Sequence, residues 1–165
     1  MTKRLAAELE GIRVEVPSNI PVMLIREIDE SRRVIPIYIG EAEASSISVA
    51  LSGVVPDRPL THDLMLNTIA ELGGEVVMVV VTDVQEHTYF ANIHIVVDGV
   101  ERVISARPSD AIALAVRAEV PVFVESDLMD KVGKSAITAD ESDEEVILED
   151  FREFINSINP EDFQG

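Results

Sequence analysis

The chain has 165 residues, 47% of them hydrophobic, no cysteine, and a formal net charge of −18. That length supports one domain with a real core, and the composition excludes a disordered chain. The lack of cysteine excludes disulfides and Cys-ligated zinc or iron–sulfur centres, which fits a cytoplasmic setting.

The first eight residues hold two bases with no apolar run behind them, so no signal peptide is expected. Residues 10–16 alternate polar and apolar, predicting a strand with one solvated face. Residues 21–28 and 34–39 predict two more strands, joined by a charged turn at 29–33 into a hairpin. Gly40 ends that run, and residues 41–51 read as a helix with Glu41 and Glu43 in its first turn, where the macrodipole favours acids. Pro56 and Pro59 mark residues 53–60 as a loop. Thr61 then reads as the N-cap of a helix over 62–72, with Leu64, Met65, Ile69 and Leu72 as its buried stripe and Gly73-Gly74 as its stop.

Residues 75–84 are almost wholly apolar, as in a central strand buried on both faces. The run is far shorter than the ~20 residues a membrane span requires, and no membrane association is expected. Residues 88–97 return after a turn at 85–87, and Asp98-Gly99 signals a hairpin into a strand over 100–106. A helix apolar almost all round follows over 109–119, then a short strand at 121–125 and a turn of helix over 126–132 opened by Ser126. Residues 133–143 read as an acidic, small-residue linker. In 144–165, Ile147, Phe151, Phe154, Ile155 and Ile158 fall at helical spacing, predicting an acidic amphipathic helix and tail. The expected organisation is one α+β domain over 1–132: a bent, mostly antiparallel sheet of six to eight strands covered by three or four helices.

Charge and motifs narrow the chemistry. Residues 139–165 hold ten acids and one base, a net of −9, and the rest of the chain carries another −9. Neither part shows the basic stripe usual in nucleic-acid binders. No phosphate-binding Gly-rich loop or nucleophile-elbow serine occurs. His62, His87 and His94 lack ligand-like spacing, and His94 between Ile93 and Ile95 reads as a surface pair across the sheet.

Three helix openings stand out instead. Arg107-Pro108-Ser109-Asp110 leads into the apolar helix, and Ser109 or Asp110 can cap it. Arg107 beside unpaired helix N–H groups could make an anion site, but on these residues alone a structural ion pair is the favoured reading. His62 is suited to proton transfer near neutral pH, yet adjacent Asp63 lies off its helix face, so the pair can also be a rim histidine beside a capping acid. Glu41 and Glu43 could hold Mg²⁺ or Mn²⁺ through oxygen, or simply complement the dipole. If the helices lie side by side, these openings converge on one cleft.

The segments 37–44 (Ile-Tyr-Ile-Gly-Glu-Ala-Glu-Ala), 58–64 (Arg-Pro-Leu-Thr-His-Asp-Leu) and 106–115 (Ala-Arg-Pro-Ser-Asp-Ala-Ile-Ala-Leu-Ala) resemble the signatures of the bifunctional nuclease domain family, in order from about residue 10 to residue 130. The resemblance implies a compact α+β domain, oligomeric association and, for plant members, activity on both RNA and DNA. It carries over onto Glu41, Glu43, Arg58, His62, Asp63, Arg107, Ser109 and Asp110. The expected assignment is His62, Asp63 and Asp110 as catalytic, Arg58, Arg107 and Ser109 as substrate-binding, and Glu41 and Glu43 as metal ligands. A homo-oligomer, most simply a dimer, is expected, with nucleic acid as substrate against an unfavourable net charge. The competing reading is a non-enzymatic oligomeric module that binds a protein or a small anionic ligand.

Overall fold

The computed structural model describes residues 3–135, and its elements all lie in the unit Met1–Gly133. The acidic linker beyond residue 135 and the C-terminal amphipathic helix lie outside the described residues. The elements run β1 (Arg4–Glu15), β2 (Ile20–Glu27), β3 (Val34–Tyr38), α1 (Glu41–Leu51), α2 (Thr61–Glu71), β4 (Gly74–Gln85), β5 (Thr88–Val97), β6 (Val100–Ala106), α3 (Pro108–Ala118), β7 (Val122–Glu125) and α4 (Ser126–Val132). This is the α+β class expected, with seven strands in one sheet and four helices among the described residues.

The strand order is β3-β2-β1-β7-β4-β5-β6. Hairpins β1–β2–β3 and β4–β5–β6 pair antiparallel, as their turn signals require. The two halves are joined by β7, which pairs antiparallel with β1 and parallel with β4. Because β7 needs a partner on each side, the first half of β1 is drawn into the sheet: Arg4–Ala7 pair with Val122–Glu125. The strand therefore begins six residues earlier than its alternation alone indicates. Register shifts at Leu9/Gly11, Val76/Met78 and Val81/Asp83 mark bulges, which sharpen local twist.

Alternate strand positions form one apolar face: Met23 and Ile25, Ile35 and Ile37, Val79 and Val81, Ile93 and Ile95. Ile47 of α1, Ile112 and Leu114 of α3, and Met129 of α4 complete that core. α3 is its central helix, with Ala111–Ala115 all buried. Fully burying an aliphatic side chain contributes about 1.5–3 kcal/mol each, so this face carries most of the fold's stabilisation.

Five local expectations are corrected. α2 does not bury an apolar stripe: Leu64, Met65 and Leu72 are exposed, Ile69 packs only partly on the core, and the helix's buried residue is His62. Thr61 is not the cap of α2. Leu60 takes that place, and Asp63, three positions into the helix, accepts the Leu60 N–H at 2.9 Å. Ser109 and Asp110 do not cap α3, because Arg107 is its N-cap and Pro108 supplies the first helical residue, where no N–H is needed. Ser126 likewise sits inside α4, after the cap Glu125. His94 does reach across the sheet, with Nδ1 2.7 Å from Glu101 Oε1, but it is buried at 3% exposure rather than on the surface.

Candidate functional site

The openings of α1, α2 and α3 meet at one open cleft of about 610 Å³. Each opening is shaped by its own sequence. Gly40 precedes α1, and a Cβ there would run into the Glu43 carboxylate, so glycine lets that side chain fold back. Pro108 restricts Arg107 to extended backbone, observed at φ −71° and ψ 144°. That conformation turns the Arg107 guanidinium back over the first turn of α3. Its Nε and one terminal nitrogen donate to the two Asp110 oxygens at 2.7 and 3.0 Å, and its other terminal nitrogen lies 3.0 Å from Glu43 Oε1.

His62 enters from α2 and is 7% exposed. Its Nδ1 lies 2.8 Å from Ser46 Oγ of α1, and its Nε2 lies 3.0 Å from Asp110 Oδ1 of α3. One imidazole thus ties three helices together through polar contacts. Behind it, the Arg117 side chain, only 8% exposed, donates to Asp63 Oδ1 at 2.6 Å. Arg117 also donates to the Ser46 carbonyl and Ser46 Oγ, both at 3.1 Å, and to the Ala113 carbonyl at 3.1 Å.

The carboxyls respond to these neighbours. Burial pushes the Asp110 carboxyl up, but hydrogen bonds from Arg107 and His62 and the charge of Arg107 outweigh it and hold Asp110 below the ordinary value. Asp63 behaves in the same way: burial raises it, and the Arg117 hydrogen bond, the Leu60 N–H and the Arg117 charge pull it lower. Arg107 is held more firmly protonated by its hydrogen bond to Asp110 and by that carboxylate's charge. The cleft lining is mixed. Glu43, Ser46, His62, Arg107 and Asp110 form its polar side, with Val49, Leu60 and Met65 as an apolar wall. One guanidinium faces two carboxylates, so the cleft is concave without being electropositive.

Of the eight residues singled out from the sequence, four come together on the cleft: Glu43, His62, Arg107 and Asp110. Asp63 turns to Arg117 instead of serving His62. Arg58 is exposed and does not line the cleft. Ser109 is buried at 5% exposure beneath it, where Pro108 sets the first turn of α3 into the core. Glu41 is exposed and also off the cleft. Glu43 is engaged by Arg107, and Glu41 does not line the cleft with it. Among the described residues, no group of three or more His, Cys, Asp or Glu side chains is placed to hold a metal.

Two residues of the cluster were not singled out from the sequence. Arg117 carries a readable signal, a lone cation inside the apolar run 111–118. Ser46 carries none, being one of three serines in α1.

Fold and cleft together define an α+β domain whose helices place a histidine, an arginine and two carboxylates at their N-terminal ends. Within that class the chain belongs to the bifunctional nuclease domain family, whose domain matches residues 23–136 and so takes in every residue lining the cleft. The chain is 44% identical over 162 residues to an uncharacterized protein of Mycobacterium tuberculosis, covering 94% of this chain and 95% of that one. It is 30% identical over 122 residues to bifunctional nuclease 2 of Oryza sativa, covering 72% of this chain and 38% of the plant protein. It is 29% identical over 107 residues to bifunctional nuclease 1 of Arabidopsis thaliana, covering 63% of this chain and 33% of that protein. The chain thus spans about a third of the plant relatives' length.

Proposed function

We propose that the cleft at the openings of α1, α2 and α3 hydrolyses phosphodiester bonds of RNA or DNA. The observation that carries this reading is His62, buried and gripped at both ring nitrogens on a cleft wall that also presents the Arg107 guanidinium. A phosphate entering there meets helix N-termini, whose free N–H groups and dipoles favour anions. Arg107, 65% exposed at its side chain, exchanges its carboxylate partners for phosphate oxygens through its planar fork. His62 moves the proton that bond cleavage requires. The acidic surface opposes a polyanion, but at physiological salt that repulsion is screened over about 8 Å. The names of the plant relatives support the substrate class.

The test is turnover of single- and double-stranded RNA and DNA by the highly purified full chain, with Mg²⁺, with Mn²⁺ and with chelator. Wild-type cleavage that falls at least tenfold in both His62→Ala and Arg107→Ala supports the reading. Cleavage absent in every condition, or unchanged in both variants, overturns it.

One observation favours the second reading, a non-enzymatic module for a protein or small anion: Arg107, Glu43 and Asp110 already satisfy one another. In that case both substitutions lower the melting temperature and no cleavage accompanies the wild type. Under either reading we propose a cytoplasmic homo-oligomer, most simply a dimer. Edge strand β6 supports it, since among the described residues Val100, Val103 and Ile104 are exposed beside a backbone edge that no other strand pairs.

A further inference from the structure

We infer that Ser46 is a nucleophile in this cleft, forming a covalent phosphoserine intermediate with the substrate before water releases it. The inference rests on the phosphodiesterase reading above and adds the group that attacks phosphorus.

Hydrogen-bond accounting carries it. Arginine only donates, so Ser46 Oγ must accept from Arg117 at 3.1 Å. The serine has one hydrogen of its own, and its other partner is His62 Nδ1 at 2.8 Å. An ionised Asp110 only accepts, so Nε2 carries the proton of the neutral ring, facing Asp110 Oδ1 at 3.0 Å, and Nδ1 is left to accept from the serine hydroxyl. Asp110, held ionised by Arg107 through two hydrogen bonds, accepts that proton's bond. Every donor has an acceptor along the line Arg117, Ser46, His62, Asp110. A hydroxyl, a base and a carboxylate that orients the base form the nucleophile-activating arrangement of hydrolases. Here the ring is reversed, with Nδ1 on the serine and Nε2 on the carboxylate.

Two features go beyond a structural hydrogen bond. Ser46 lines the same cleft as Arg107, His62 and Asp110. The buried Arg117 guanidinium, pinned by Asp63 and two backbone carbonyls, stands fixed beside Oγ and stabilises the negative charge that develops there on attack.

The step balances as follows. Ser46 Oγ bonds to phosphorus and its proton passes to His62 Nδ1. The bond from phosphorus to the leaving nucleotide oxygen breaks, and that oxygen takes the proton from Nδ1. Water then attacks the phosphoserine and gives a proton to Nδ1. The bond from phosphorus to Oγ breaks, and Ser46 recovers the proton. One water is consumed, yielding one phosphomonoester and one alcohol.

The full chain is treated with diisopropyl fluorophosphate, and adducts are mapped by intact mass and peptide sequencing. The expected result is a single diisopropylphosphoryl group on Ser46. It should be absent in Ser46→Ala, slowed at least tenfold in His62→Ala and His62→Gln, and unchanged in Ser48→Ala, an exposed serine of the same helix. Circular dichroism and thermal melts identify which of the two His62 variants is folded and usable. No adduct, an adduct elsewhere, or wild-type labelling of a folded His62 variant overturns the inference. Nuclease turnover on the same samples separates the two claims. Turnover that survives Ser46→Ala without any wild-type adduct removes the serine step and leaves the nuclease. A Ser46 adduct without turnover removes the nuclease and leaves the nucleophile.

Discussion

The Arg107 guanidinium is 65% exposed at the side chain and meets Asp110 and Glu43 at the cleft surface, whereas that of Arg117 is 8% exposed and lies behind Ser46 and Asp63. Exposure decides what each contributes. Exposed ion pairs stabilise by about 0–1 kcal/mol, so Arg107→Lys should leave the melting temperature nearly unchanged. Lysine cannot reproduce a two-pronged phosphate contact, and turnover should fall at least about tenfold, or ~1.4 kcal/mol in transition-state stabilisation. Measuring both on one preparation checks this: a lowered melting temperature with unchanged specific activity would make Arg107 structural. Arg117→Met removes a buried cation and leaves the Asp63 carboxylate without its ion-pair partner and two carbonyls without their donor. With Asp63 still 27% exposed, the loss should be about 1.5–3 kcal/mol, as for hydrogen bonds to charged groups, to be read from the urea midpoint with the slope unchanged.

α2 and α3 dock by different physics. α3 buries Ala111–Ala115 on the sheet, so Leu114→Ala should cost about 2–5 kcal/mol in denaturant titrations, depending on how far the site collapses. α2 leaves its apolar residues largely exposed and is tied to α1 and α3 by His62 and Asp63. Its docking should therefore depend on pH. Asp63 and Asp110 lie below their ordinary values in the fold, so each contributes stability that is fully present above the unfolded value of about 3.9. That contribution is lost as pH falls through the lower folded values. Melting temperature followed from pH 6 downwards should drop below about pH 4, and Asp63→Asn and Asp110→Asn should each flatten that fall. An acid limb unchanged by both would assign the loss to other carboxyls.

For the whole molecule, the charge of −18 governs encounter with any polyanion, and half of it sits in residues 139–165. Removing the chain after Thr138 should raise nucleic-acid affinity at low salt, with the two forms converging as salt rises. Equal binding by both forms across the series would leave the acidic segment without that role. Self-association through an apolar edge predicts a light-scattering mass above the 18.1 kDa of one chain at micromolar concentration. A monomer there removes the dimer proposal.

What could be read from the sequence was local. The α+β class, the two hairpins and the apolar helix around Ala111–Ala115 follow from periodicity and turn residues that act within a few positions. Gly40, Pro108 and the charged helix openings mark where Glu43, His62, Arg107 and Asp110 stand because caps and corners are short-range devices. The rest needed partners far along the chain. β7 is too short to announce that it joins two hairpins or that it recruits Arg4–Ala7 into the sheet. Asp63 and Arg117 meet across 54 positions, and Ser46 and Arg117 across 71. No spacing rule spans such distances; only the packing of α1 and α2 on α3 brings a serine, a histidine and a carboxylate into one line.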